Sequence, residues 1–413
     1  MTVQLLPVVN RDRLYQSLMD LAEIGKLPAD GVRRLAFSPE DIKARQLVWR
    51  WMAAAGLSVR SDAAGNIIGT LPGKQNAPAL ATGSHIDTVP KAGKYDGTLG
   101  VLAGIEVART LKESGLQLQH PFEVIVFTDE EDSMIGSKAI AGTAALDPDQ
   151  YARKNQPSIQ SRLRKVGGDW QQLATARCSR QHICAFVELH VEQGQVLETA
   201  GKSIGVVEGV VGLQRYQILI KGAPNHAGTT PMELRQDALV AAAHLVLAVE
   251  SLAKTRPGRQ VATVGSLTVW PNATNVIPGE VQASLDVRDL SKAEIVGLVD
   301  ALKAEMIQIA EATQTEITIT PVLDVDPSPA APVIQQTITQ VCDRLGFSHM
   351  PLPSRAGHDA QAMGRFTDMG MIFVPSEGGI SHSEIEYTSP EQCAQGATVL
   401  LQTLLELDRV YPC

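Results

Sequence analysis

The stretch Ala77-Pro-Ala-Leu-Ala-Thr-Gly-Ser-His85-Ile-Asp87 limits what this chain can fold into more than any other. A short apolar run after turn residues has the signature of a buried strand, and its C-terminal end delivers His85 and Asp87 into a crevice. On a continuing strand, residues two apart share a face, so the Asp87 carboxylate can hold the His85 imidazole in one tautomer. Asp96 follows in a loop carrying Gly93 and Gly97. Residues 97–114 have helical periodicity, which puts Asp96 at a helix N-terminus, where a carboxylate is favoured. A single carboxylate placed there can bridge two cations. A capping Asp beside a polar strand-end His is the other reading of these residues.

At 413 residues the chain is too long for one ordinary core, and two domains are expected. A hydrophobic content of 44% with 20% charged residues is that of a soluble globular protein. The net charge of −9 argues against a nucleic acid or an anionic membrane surface as partner. No apolar run is expected to reach the length of a membrane span, and Met1-Thr-Val-Gln-Leu-Leu-Pro7 lacks a basic region followed by a long apolar core. A cytoplasmic enzyme is the expectation. Cys178, Cys184, Cys342, Cys393 and Cys413 are odd in number, lack paired zinc-finger spacing and read as reduced thiols.

Strands and helical segments alternate through the first half of the chain. Ser38-Pro39-Glu40-Asp41 supplies an N-cap, a proline at the first helical position and acids in the first turn, and Gly56 stops the helix. Short strands are expected at 57–60, 66–71, 122–127, 185–190 and 204–208, which makes an α/β layered sheet with helices on both faces. From about 209 to 321 the order becomes β-α-β-β-α-β, that of a small ferredoxin-like sandwich inserted in a larger domain made of 1–208 and 322–413. The proline-rich segment 324–332 returns the chain to that domain.

Thr128 is followed by Asp129-Glu130-Glu131-Asp132, four acids in a row after a strand. Adjacent carboxylates repel one another, so a fold that keeps them together needs a cation or full solvation. His190 ends another strand, and His382 lies in Gly378-Gly-Ile-Ser-His382-Ser. Strand ends of an open α/β sheet are where ligands bind, and several His and acids placed there point to a metal cluster. Two divalent cations fit that number of ligands, with Asp96 shared, His85 and His190 completing one site, and Glu131 and His382 the other. Such a pair polarises a carbonyl and acidifies a bound water, which suits hydrolysis of an amide-like bond. Glu130, beside a ligand but not one itself, is then the carboxylate that moves the water's proton to the leaving nitrogen.

Taken together, Gly83-Ser-His85-Ile-Asp87, Asp96-Gly97, Glu130-Glu131, Glu188-Leu-His190-Val-Glu-Gln-Gly194, Asn225-His226-Ala-Gly-Thr-Thr-Pro231, Asn275-Val-Ile-Pro278, Ala356-Gly-His358-Asp359 and Ser381-His382 resemble the dinuclear amidohydrolases of the M20 peptidase superfamily. Within it they are most similar to the branch of N-carbamoyl-L-amino-acid hydrolases, allantoate amidohydrolases and β-ureidopropionases. The resemblance implies a zinc-aminopeptidase-like catalytic domain with a mixed sheet, the ligand scheme above, and an inserted domain that acts as lid and forms a homodimer. It implies further that His226 stabilises the oxyanion in the partner subunit's site. Asn275 and Arg288 would hold the substrate carboxylate, for which a guanidinium offers two parallel donors. Gln193, Gly357 and His358 would line the substrate pocket.

There is one departure from the family pattern. Where the family commonly has a glycine-x-arginine-phenylalanine segment after the paired glutamates, this chain runs Asp132-Ser-Met-Ile-Gly136, which bears on substrate choice at the rim. The expected activity is hydrolysis of the ureido group of a small carboxylate, an N-carbamoyl-L-amino acid first and allantoate second. A non-catalytic dimeric binding protein on the same fold is the alternative from another class. The ligand set accepts zinc, manganese, cobalt or nickel.

Overall fold

A computed structural model describes residues 7–413, so the expectation drawn from the first six residues lies outside the described residues. The chain divides into two compact units, one made of residues up to Val210 together with Pro329–Cys413, the other of Val211–Ser328.

The strands of the first unit, in order, are β1 (Ser58–Ser61), β2 (Ile67–Leu71), β3 (Ala79–His85), β4 (Phe122–Phe127), β5 (Ile183–Val191) and β6 (Ile204–Val210). The second unit contributes β7 (Gly212–Lys221), β8 (Val261–Trp270), β9 (Glu280–Asp289) and β10 (Glu316–Val325). Then come β11 (Ser328–Pro329), β12 (His349–Ser354) and β13 (Asp368–Val374). The large sheet has the order β1-β2-β4-β3-β5-β13-β6-β11, with β12 pairing with β6. It is mixed: β4, β3, β5 and β13 are parallel neighbours, whereas β1, β2 and β6 join through antiparallel pairs.

The four central strands are buried on both faces because successive side chains alternate between two cores. On β4, Val124 and Val126 join a core with the helices Arg11–Ala22, Thr98–Glu113, Pro332–Leu345 and Pro390–Val410. Ile125 and Phe127 point the other way, to Ile140, Phe186, Met363 and Phe373. Two helices, Arg11–Ala22 and Pro39–Ala55, open the unit. In the second, the Ser38 side chain accepts from the Asp41 N–H and Gly56 closes the helix in the left-handed region at φ 96. The polar stretch after Ile140 covers a small core of its own, around Tyr151, Ile159, Leu163 and Leu173.

The second unit is an antiparallel sheet in the order β10-β7-β9-β8. Helices Ala238–Thr255 and Lys292–Thr313 lie over one face, where Leu245, Val249, Leu298 and Leu302 meet Ile218, Ile220, Leu285 and Val287. The unit runs to Ser328 rather than to 321, because β10 continues along β7 to Val325, past an irregularity at Pro321–Leu323. One further expectation is corrected: among the described residues one helix, Ala238–Thr255, is long and apolar enough to cross a membrane by length and composition. Four leucines, three valines and six alanines, broken only by single polar residues until its last turns, give it that apolar character. Ala238, Ala241, Ala242, Leu245 and Val249 of that helix are buried in the unit's own core.

Leu80, fully buried on β3, should cost about 2–5 kcal/mol when cut back to Ala. Val322→Ala, on the exposed part of β10, should stay within about 0.5 kcal/mol. Denaturant unfolding checks both; equal effects would contradict the placement of β3 at the centre of the core.

Candidate metal centre

Because β4, β3, β5 and β13 are parallel, their C-terminal ends lie along one edge of the sheet. His85 is the last residue of β3 and stands level with Phe127 on β4, while His190 on β5 stands level with Phe373 on β13. The chain leaves β4 beside His85 and turns at Asp129, whose φ is 59°. Asn66 accepts the Thr128 N–H at 3.0 Å, and the Asp87 carboxylate accepts the N–H groups of Glu130 and Glu131 at 3.4 and 3.2 Å.

That use of Asp87 differs from the expected one. The His85 ring is held by the Asp87 backbone carbonyl, 3.0 Å from Nδ1, while the carboxylate lies 3.9 Å away. The strand stops at His85, so the two-residue alternation does not reach Asp87. His190 is held in the same manner, with Nδ1 2.9 Å from the Val191 carbonyl. A carbonyl can only accept, so each ring donates from Nδ1 and presents Nε2 to the site.

Both Nε2 atoms face Asp96. Its Oδ1 lies 3.6 Å from His85 Nε2 and 3.2 Å from His190 Nε2. Its Oδ2 lies 3.2 Å from Nε2 of His382, which in turn is 3.6 Å from Glu131 Oε2. Two sets of ligand atoms share Asp96, His85 with Asp96 and His190, and Asp96 with Glu131 and His382; Glu188, His190 and His358 make a third beside them, and the atoms of each set lie within 4.8 Å of one another. Gly97 makes the first set possible: its φ is 65°, and a Cβ there would collide with the His85 ring. His382 does not sit at a strand end as expected. It lies in the loop after β13, at φ 53°, with its side chain 51% exposed.

The charges follow from burial set against neighbours. Burial opposes the charge on Asp96, but its bonds to His190, His382 and His85 outweigh it and hold the carboxyl well below its usual range. For Glu130 burial wins and pushes the carboxyl well up, and Glu131 rises to about 6 for the same reason. Asp96 raises His382 to about 9. His85 is also pushed well up, since Glu130, Asp96 and Asp87 together exceed the cost of burying its charge. Acids and imidazoles thus share protons in a space where cations would supply the same charge. Glu131 Oε1, Gln193 Oε1 and His358 Nε2 are buried without a hydrogen-bond partner. Imidazole nitrogens and carboxylate oxygens in two adjoining sets, with spare acceptors beside them, suit divalent transition metals.

The other expected residues divide between the units. In the first, Gln193 donates from Nε2 to Asp96 Oδ2 at 3.0 Å. The His358 ring meets the His190 ring edge-on at 4.5 Å, and Gly357 is exposed with open space beside it. In the second, His226 is exposed and accepts the Gly228 N–H at Nδ1, 3.0 Å away. The loop of Asn275 pairs with that of His226, since the Ala227 N–H donates to the Asn275 carbonyl at 3.0 Å. Arg288 is bound to Asp286, Nε to Oδ1 at 2.7 Å.

Two acids earn no separate role in the sequence. Glu188 accepts from Ser84 Oγ at 2.6 Å and from the Ala360 N–H at 2.9 Å. Glu386 accepts the N–H groups of Tyr95 and Asp96 at 3.1 and 3.0 Å. The one signal for the latter is an acid four residues after His382.

A fold of parallel strands whose ends gather His and carboxylates is that of a metal hydrolase, and comparison with known proteins agrees. Residues 81–406 match the model of peptidase family M20/M25/M40, and the chain belongs to that family, whose enzymes are metal-dependent. An N-carbamoyl-L-amino acid amidohydrolase of Geobacillus stearothermophilus is 41% identical over 97% of this chain and 99% of its own. An allantoate deiminase of Arabidopsis thaliana is 33% identical over 95% of this chain and 82% of its own. The crystal structure of an amidase of the hydantoinase/carbamoylase family from Burkholderia multivorans superposes with a TM-score of 0.91 at 34% identity, covering 98% of this chain and all of the other.

Because His382 is protonated below about 9, cation binding at pH 7 must displace its proton, and affinity should strengthen as pH rises towards that value. Titration calorimetry of the metal-free protein in two buffers of different ionisation enthalpy should give different heats. Equal heats would contradict the assignment.

Proposed function

We propose that this chain is an amidohydrolase that cleaves the ureido group of a small carboxylate, first of all an N-carbamoyl-L-amino acid, releasing amine, carbon dioxide and ammonia. One observation carries the reading: two ligand sets share Asp96, and Glu130 stands against them while belonging to neither. The names of the amidohydrolase relatives support the reaction class. One divalent ion would be held by His85, Asp96 and His190, and a second by Asp96, Glu131 and His382; zinc or manganese suits these donors, as do cobalt and nickel. Such ions, when bound, polarise a carbonyl oxygen and lower the pKa of water.

The chain's own groups do the rest. The Glu130 carboxylate, 10% exposed and 3.6 Å from His85 Nε2, takes the proton of the attacking water. Burial raises its pKa, so it keeps that proton until it can hand it to the leaving nitrogen. Arg288 and Asn275 hold the substrate carboxylate, the guanidinium being kept in orientation by Asp286. The free Gln193 Oε1 accepts a substrate N–H, Gly357 and His358 form the wall beside it, and His226 stabilises the oxyanion in the partner subunit's site.

The second unit serves as lid and as the surface of a homodimer. In favour of the latter, Leu239, Val240 and Leu247 on one helix and Val261, Leu267 and Trp270 on the edge strand β8 are exposed apolar residues of that unit. Allantoate, which carries the same ureido and carboxylate groups, is the second substrate reading, supported by the allantoate deiminase relative.

Ammonia release from a panel of N-carbamoyl-L-amino acids, N-carbamoyl-β-alanine and allantoate, run with metal analysis, tests the proposal; inactivity on every ureido acid would sink it. Glu130→Gln should leave metal content unchanged and lower kcat by about 10²–10⁴-fold. Arg288→Ala should raise KM for the preferred acid about 10–100-fold with little change in kcat. An unaltered KM would mean that the acid end is held elsewhere.

A further inference from the structure

His382 has little to fix it locally. It lies in an irregular loop with a positive φ, shortly after Gly378 and Gly379, both also in the left-handed region, and half of its side chain is exposed. Asp96 sits in a different loop, nearly three hundred residues earlier. Yet a second ligand set exists only if these two side chains keep their separation to within a few tenths of an ångström.

One buried side chain spans the two loops. Glu386, 4% exposed, accepts the backbone N–H groups of Tyr95 and Asp96 on Oε1 and the Ser381 hydroxyl on Oε2 at 2.9 Å. Ser381 directly precedes His382, and its Oγ also lies 3.4 Å from Asp96 Oδ2. The same carboxylate therefore grips the backbone of the shared ligand and the neighbour of the exposed one. The Asp96 loop is shaped to receive it: a Cβ on Gly93 would collide with Glu386, which gives that glycine a physical role. The Tyr95 ring meets the Tyr387 ring edge-on at 6.0 Å, so the two loops keep a contact that does not involve Glu386.

We propose that Glu386 is the positioning residue that sets the distance between Asp96 and His382 and so determines how tightly the Asp96–Glu131–His382 set holds its cation. It touches neither substrate nor cation and acts through the two loops. The inference rests on the dinuclear reading given above. Removing a group that orients a metal ligand weakens binding about 10–100-fold. The loss should fall on one of two cations.

The test is metal content by mass spectrometry after dialysis against graded Mn2+ or Zn2+, for wild type, Glu386→Ala, Glu386→Gln and Ser381→Ala. Wild type should hold two ions per chain. Glu386→Ala should keep one at low free metal and take the second about 10–100-fold more weakly, with activity returning at high metal concentration. Glu386→Gln, which can still accept both N–H groups, should fall between the two. Ser381→Ala removes the hydroxyl that Glu386 and Asp96 share and should weaken the second ion by roughly tenfold, which keeps the test open if Glu386→Ala does not fold. Wild-type affinity for both ions in the Glu386 and Ser381 variants would overturn the inference alone. Fewer than two ions on the wild type would overturn the dinuclear reading, and this inference with it.

Discussion

Everything at this site depends on one carboxylate being surrounded by three imidazoles. Asp96 is buried, and an isolated buried carboxylate would take up a proton. It stays ionised because His85, His190 and His382 are all directed at its two oxygens. The nearby acids are held differently. Two carboxylates about 4 Å apart repel by ~4 kcal/mol at an effective dielectric constant of about 20, so Glu130 and Glu131 cannot both carry full charge beside Asp96 without added positive charge. Burial therefore dominates at Glu130, while attraction dominates at Asp96. One neighbourhood keeps one carboxylate charged and leaves its neighbour able to carry a proton.

The sheet makes that neighbourhood possible. Four parallel strands end at a common edge, where β3 and β5 carry His85 and His190 and the chain leaving β4 carries Glu130 and Glu131. Backbone carbonyls of Asp87 and Val191 fix the two strand-end imidazoles, so their orientation is set by main-chain geometry rather than by further side chains. The groups that are not at strand ends need more support. Asp87 and Asn66 hold the turn of Glu130 and Glu131, and Glu386 spans the loops of Asp96 and His382.

The second unit is built on a different principle. Its sheet has one face covered by helices, and exposed apolar residues lie on β8, on β10 and on the outward side of helix Ala238–Thr255. That helix shows why apolar length alone is ambiguous. A run that would suit a membrane is here alanine-rich and lays a narrow stripe on a sheet.

Much of this was present in the order of residues. Local chemistry marks the strand that ends at His85, the helix from Pro39 to its stop at Gly56, the β-α-β-β-α-β series, and the residues at 85, 96, 131, 190 and 382, because turn residues, caps and periodicity act over a few positions. What tertiary structure alone decided are pairings between distant positions. That Asp87 serves the 130–131 backbone depended on where β3 stops, a matter of strand pairing with β4. That Glu386 holds the N–H of Asp96 joins residues 290 apart. No local signal encodes such a bond, since its partners meet only when β3 and β13 are both packed beside β5 and the loops after β3 and β13 are brought together.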